Sequence, residues 1–123
     1  MITIAGEIHS SKNSRRVVSR GKRVIVLKSK AAQADEDMLS LQLASQRENW
    51  DKMKSTRDFP LYVVFSFRRR THARWDFANL VQGVADAMTK AGYIPDDDVE
   101  HFIPVYGGYD VCKDNPGVDF WIE

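Results

Sequence analysis

Hydrophobic and polar positions change period several times along the chain, and each change marks an expected element. Residues 1–8 alternate weakly, with Ile2, Ile4 and Ile8 apolar, which predicts a first strand. Residues 9–21 are polar and basic and are expected as a loop. Residues 23–28, R-V-I-V-L-K, are strong β-formers and predict a second strand. A helical period follows. Ser29 stands where an N-cap belongs, and one long helix is expected through about Met53, its buried stripe formed by Ala31, Ala34, Met38, Leu41 and Ala44 with Leu39 beside it. Asp35, Glu36, Asp37, Arg47 and Glu48 read as its solvated face, and Trp50 as core. After a polar connection over 52–58, Pro60 opens L-Y-V-V-F-S-F. Leu61, Val63, Phe65 and Phe67 share one face, with Tyr62 and Val64 on the other, which predicts a central strand with both sides at least partly covered.

The stretch 75–98 carries the strongest helical pattern. Advancing about 100° per residue from Asp76 puts Phe77, Leu80, Val81, Val84, Ala87, Met88 and Ala91 on one arc. Asn79, Gln82 and Asp86 fall opposite, with Asp76 at their edge near the helix start. Gly92 reads as the C′ glycine cap and Pro95 bars the helix from resuming, so Asp96, Asp97 and Asp98 arrive in a turn. Residues 99–106 are expected as a strand interrupted at Pro104, hence an edge or a bulge. Gly107-Gly108 and Asn115-Pro116-Gly117 read as turns, the latter of type II, and Val118, Phe120 and Ile122 as a closing strand. The order β-β-α-β-α-β-β predicts a mixed sheet with two main helices packed on it, an α+β fold in a single domain over 1–123.

Composition narrows the class. With 123 residues, 43% of them hydrophobic, the chain can bury the core of one small domain. No apolar run is long enough to cross a membrane, and Glu7 and His9 so near the start do not suit a signal peptide. Cys112 is alone, so no disulfide staples the fold, no Cys/His cluster has zinc spacing, and a reducing cytoplasm is expected. The net charge of +1 conceals a division: residues 1–75 hold 16 Lys and Arg against 7 Asp and Glu, residues 76–123 hold 2 against 10. One basic block runs through Lys12, Arg15, Arg16, Arg20, Lys22, Arg23, Lys28 and Lys30; a second, Arg68, Arg69, Arg70, His72 and Arg74, runs straight into Asp76. A basic half and an acidic half suit a protein that grips phosphates and holds a divalent cation; the lesser alternative is that the halves simply neutralise each other.

On Asp76, Asn79, Leu80, then Asp86-Ala87-Met88, Lys90-Ala91-Gly92 and Asp96-Asp97, the chain resembles the RusA family of Holliday-junction resolvases. In register, Asp76 matches that family's first catalytic aspartate and Asp97 its last, with Asp96 as neighbour. Ala78 stands where the family has its second metal-site aspartate, and Gln82 where it has a lysine; some phage-type members share the Asp-x-x-Asn-x-x-Gln pattern. Ser11-Lys12-Asn13 falls where the family approaches DNA. The resemblance implies a homodimer in a bacterial or phage-infected cell, acting on branched double-stranded DNA with Mg²⁺, for which Mn²⁺ substitutes. It implies Asp76, Asp96 and Asp97 as metal ligands.

The chemistry agrees with those residue types. Hydrolysing a phosphodiester needs charge neutralised on its oxygens and an activated water, and a carboxylate-held Mg²⁺ supplies both. Asp86 then reads as a helper, and Asn79 and Gln82 as groups that orient water or phosphate, while Arg74 or Arg70 replaces the missing lysine. Lys12, Asn13, Arg15, Arg16, Arg69, Arg70, Arg74 and Asn79 are the expected DNA contacts. Two other classes remain open: a DNA-binding module without cleavage, which Ala78 and Gln82 favour, and an interaction protein whose aspartates meet a basic partner.

Overall fold

The alternation at Leu61, Val63, Phe65 and Phe67 becomes the middle of a sheet, and these four side chains are at most 1% exposed. The computed structural model describes residues 1–9, 15–20, 23–28 and 30–123, the two segments within 15–28 as backbone alone. Its elements are β1 (Ile2–Ala5), β2 (Arg15–Arg20), β3 (Arg23–Lys28), α1 (Lys30–Ser45), α2 (Arg47–Lys54), β4 (Leu61–Arg69), α3 (Phe77–Lys90), β5 (Phe102–Val111) and β6 (Gly117–Ile122). The first, fourth, fifth and sixth strands form one sheet in the order β1-β6-β4-β5, while β2 and β3 pair as a hairpin. Within the sheet β4 runs parallel to β5 and antiparallel to β6, so the sheet is mixed and the fold is α+β as expected. The crossover from β4 to β5 is α3, which brings the helix back along the sheet.

Four expectations need correction. The stretch 9–21 is not all loop: Arg15–Arg20 is a strand, in register with β3 from Arg15↔Lys28 to Arg20↔Arg23. The β-branched pair Val17-Val18, flanked by polar residues, is the signal that the basic composition hid. Ser29, the expected N-cap, lies outside the described residues.

The single helix over 29–53 is two. At Gln46 the backbone turns to φ −109°, ψ 9°, and its N–H bonds Leu43 O at 3.2 Å, three residues back. The buried stripe is Ala32, Leu39, Leu43 and Trp50, with Met38 and Leu41 turned outward at 54% and 66% exposure. Either stripe is apolar, so hydrophobicity alone did not choose. The glutamines do. Gln42 accepts the Ala5 N–H and donates to Ala5 O, both at 2.8 Å. Gln46 does the same for Thr3 at 3.1 and 2.9 Å. Two primary amides thus satisfy the outer edge of β1, a row of backbone groups otherwise left open to another strand.

The last two corrections concern turns. Gly107-Gly108 lies inside β5, where the ladder to β4 slips between Phe65 and Phe67. Gly117 opens β6, directly after Pro116; the turn falls earlier, closed by Asn115 N–H on Cys112 O at 3.2 Å. Pro104 sits in β5, the outer strand, as an edge requires. On β4's second face Val64, opposite Trp121, is buried, whereas Tyr62 is 48% exposed. Among the described residues no helix is long and apolar enough to cross a membrane.

The centre of the core is Trp50 against Tyr93, their rings stacked 5.1 Å apart and both fully buried. Trp50 Nε1 donates to Tyr93 O at 2.9 Å, and Tyr93 Oη donates to Leu43 O at 2.5 Å. Tyr93 arrives there because Gly92, at φ +76°, ends α3: Tyr93 N–H bonds Met88 O and Gly92 N–H bonds Thr89 O, the paired bonds of a Schellman motif. Burial pushes the Tyr93 hydroxyl from 10.0 up to about 12, with Arg47 drawing it partly back and Asp51 adding to the rise. The folded state therefore holds the phenol proton more tightly than the unfolded chain. This contribution to stability is complete below about pH 10 and is lost as pH rises through about 12. The stability gap between wild type and Tyr93→Phe, which cannot ionise, should shrink across that interval in urea-unfolding curves. A constant gap would contradict the assignment.

Candidate functional site

β4 ends in the basic residues, the chain crosses 70–76, and α3 follows from its N-cap, Asp76. Asp76 has extended backbone (φ −116°, ψ 114°), and its carboxylate accepts the Asn79 N–H at 3.4 Å, as an N-cap should. Leu80, Val81, Val84, Ala85, Ala87 and Met88 are buried, in agreement with the expected phase, which leaves Gln82 and Asp86 exposed with Asn79 half-buried. The segment after β1 passes directly over this helix: a Cβ at Gly83 would lie 2.8 Å from His9 O, so only glycine lets the two backbones meet. Glu7 on that segment pairs with Arg70 at 3.5 Å, and His9 Nε2 pairs with Asp35 of α1.

One amide then gathers the acidic groups. Gln82 Nε2 donates to Asp86 Oδ1 at 2.8 Å and to Asp97 Oδ2 at 2.6 Å. Asp86 is one helical turn along from Gln82, whereas Asp97 comes from the turn beyond Tyr93. Two carboxylates that repel at close range are held on one donor group. The neighbouring aspartates turn elsewhere: Asp96 Oδ1 accepts the Asp97 N–H at 2.8 Å, and Asp98 Oδ1 meets His101 Nδ1 at 2.5 Å.

The expected metal set is thus placed as follows. Asp76, Asp96 and Asp97 are not gathered into one group; among the described residues no three His, Cys, Asp or Glu side chains converge to hold a metal. What converges is the pair Asp86 and Asp97, through Gln82. Asp76 lies six residues ahead of Gln82 and ten ahead of Asp86, roughly 9 and 15 Å along the axis at about 1.5 Å per residue. It lines, with Asn79, Arg69, Arg74 and Trp75, an open cavity of about 670 Å³.

The basic block divides by function. Arg68 is spent within the sheet: Nε bonds Asn115 O at 3.0 Å, Nη2 bonds Ile4 O at 2.9 Å, and Nη1 pairs with Asp119 Oδ2 at 2.7 Å. Arg69 lies with Cζ 5.5 Å from the Trp75 ring, its Nε buried without a hydrogen-bond partner. His72 and Arg74 are exposed, as is Arg70 beyond its pair with Glu7. Arg15 and Arg16 fall on β2, opposite Lys28 and Leu27; their side chains, like Lys12 and Asn13, lie outside the described residues. The sequence offered the Gln82–Asp86 spacing of four, a known helical hydrogen-bonding pair, but nothing that tied Asp97 to it. Scanned against protein-family models the chain matches none, and a search of curated proteins finds no match.

Removing the shared donor tests whether the bridge holds in solution. Gln82→Leu leaves two facing carboxylates with no common partner, and should destabilise the fold by about 1 kcal/mol in denaturant titrations. An effect under about 0.3 kcal/mol would show that the bridge contributes nothing.

Proposed function

We propose that the chain is a Mg²⁺-dependent endonuclease of the RusA type, hydrolysing phosphodiesters of four-way or otherwise branched DNA in recombination and repair. The observation that carries this reading is the Asp86–Gln82–Asp97 bridge on the α3 strip that begins at Asp76, beside the cationic end of β4. Two carboxylates in one place suit Mg²⁺, which keeps several waters and is often held by one or two carboxylates. Asp86 and Asp97 are the residues that would hold it, the Gln82 amide turning aside or offering its oxygen. When bound, the cation neutralises phosphate charge and lowers the pKa of a water.

The remaining work falls to the chain's own groups. Asp97 is fixed from behind by the Asp96 carboxylate on its N–H, so its side chain is aimed at α3 before any substrate arrives. Asp76 accepts a hydrogen bond at the helix start and orients water or a sugar hydroxyl there. Arg74 and Arg69 line the cavity at Asp76, ahead of the Asp86–Asp97 pair, and would hold a phosphate next to the scissile one. Branched DNA has two-fold symmetry, and a two-fold dimer would present one such strip to each of two strands.

A DNA-binding protein without cleavage is the competing reading, and Gln82 favours it: a neutral donor already occupies the space between the carboxylates. Cleavage of a labelled four-way junction, with and without Mg²⁺ or Mn²⁺, separates the two. Wild type should give paired nicks only with metal. Asp97→Asn and Asp76→Asn should lower the rate at least about 100-fold while junction affinity stays within a few-fold. Tight binding with no nicks under either metal would establish the binder instead.

A further inference from the structure

The slip in the β4–β5 ladder has a product. Phe65 pairs with Tyr106 and Phe67 with Tyr109, so Ser66 faces Gly107 and Gly108 together, a bulge of one extra residue. Strand residues three apart normally point to opposite faces; the extra residue places Tyr106 and Tyr109 on the same face. The bulge is held tightly, since a Cβ at Gly107 would stand 2.7 Å from Val64 Cγ1 and 2.9 Å from Phe65 O.

These tyrosines are not used to fill the core: Tyr106 is 54% and Tyr109 39% exposed. They surround Trp75, at 6.5 and 5.2 Å between ring centres, and Tyr106 also meets Phe77 at 5.1 Å. The Arg69 guanidinium lies over Trp75, and Arg74 lines the same cavity. An exposed aromatic surface bordered by cationic groups is the composition that holds single-stranded nucleic acid, with bases stacked on rings and phosphates on arginines. A fully paired duplex keeps its base faces inside the helix and cannot use such a surface.

We propose that Tyr106 and Tyr109, backed by the half-buried Trp75, form a platform on which unpaired bases of a DNA strand stack, with Arg69 and Arg74 taking the adjacent phosphates. This rests on the nuclease reading and deepens it, since it names branched DNA with exposed unpaired bases as the preferred substrate. The bound strand passes over the cavity holding Asp76, and the platform positions the strand for cleavage.

The test compares a labelled oligo-dT with a fully paired duplex of equal length, both in metal-free buffer. Wild type should prefer oligo-dT, with quenching of tryptophan emission. The Tyr106→Ala/Tyr109→Ala protein should lose about 10-fold or more in oligo-dT affinity and nothing for duplex, while Tyr106→Phe/Tyr109→Phe should retain wild-type affinity. Unchanged oligo-dT binding by the alanine protein would overturn the platform, and if wild type still nicks the junction the nuclease reading stands without it. Tyrosine-dependent oligo-dT binding with no metal-dependent nicking would uphold the platform and remove the nuclease. Wild-type self-association that the alanine protein loses, with no oligo-dT binding, would assign the surface to a second copy instead.

Discussion

The packing of Trp50 against Tyr93 is the constraint from which the rest of the arrangement follows. Trp50 belongs to α2, and Tyr93 is the third residue past the end of α3. Their stack, the indole N–H on Tyr93 O and the phenol on Leu43 O tie three helices to one point above Phe120 of the sheet. Each buried polar group there has its partner, as an apolar centre requires. Because Tyr93 is fixed, the direction in which the chain leaves α3 is fixed too. Ile94, buried beside it, extends that anchor, and the next residues have only a short turn in which to reach back. Asp97 therefore returns to Gln82 at the middle of the helix.

Much of the fold was legible from the pattern because its strongest periodicities coincide with its most buried elements. The alternation in β4 and the arc of Leu80, Val81, Val84, Ala87 and Met88 in α3 were correct in phase, since each has one face that only the core can accept. The N-cap at Asp76 and the C′ glycine at Gly92 are local chemistry, and both are where the residue types placed them. The failures arise where tertiary bonds decide between locally equivalent choices. Ala31, Met38 and Leu41 offered as good a stripe as Ala32, Leu39 and Leu43; Gln42 reaching Ala5 and Gln46 reaching Thr3 selected the second, and the helix breaks at Gln46. Gly107-Gly108 carries the residues of a turn, yet at Gly107 the Val64 side chain and the Phe65 backbone of β4 leave no room for a side chain, and the pair forms a bulge.

The candidate site shows the same division. Its helical members were readable because the polar strip on α3 is the complement of its buried face. That Asp96, Asp97 and Asp98 take three separate partners could not be read, because three identical side chains in a turn carry no local preference among them. Charge alone would also have assigned Arg68 to phosphate; its three bonds to Ile4, Asn115 and Asp119 make it part of the sheet. The division of charge between the chain's halves thus becomes a smaller feature in space, an acidic strip on α3 whose first residue borders Arg69 and Arg74. That juxtaposition is what phosphodiester chemistry requires of a surface.

In the proposed function Asp86 of α3 and Asp97 of the following turn form one cation-binding place. Titrating the isotope-labelled protein with Mn²⁺ and following the loss of backbone amide signals addresses it without any substrate. The expected result is paramagnetic broadening centred on residues 82, 86 and 97, reversed by excess Mg²⁺ and absent in Asp97→Asn. Broadening centred on another acidic stretch, or none at all, would contradict it.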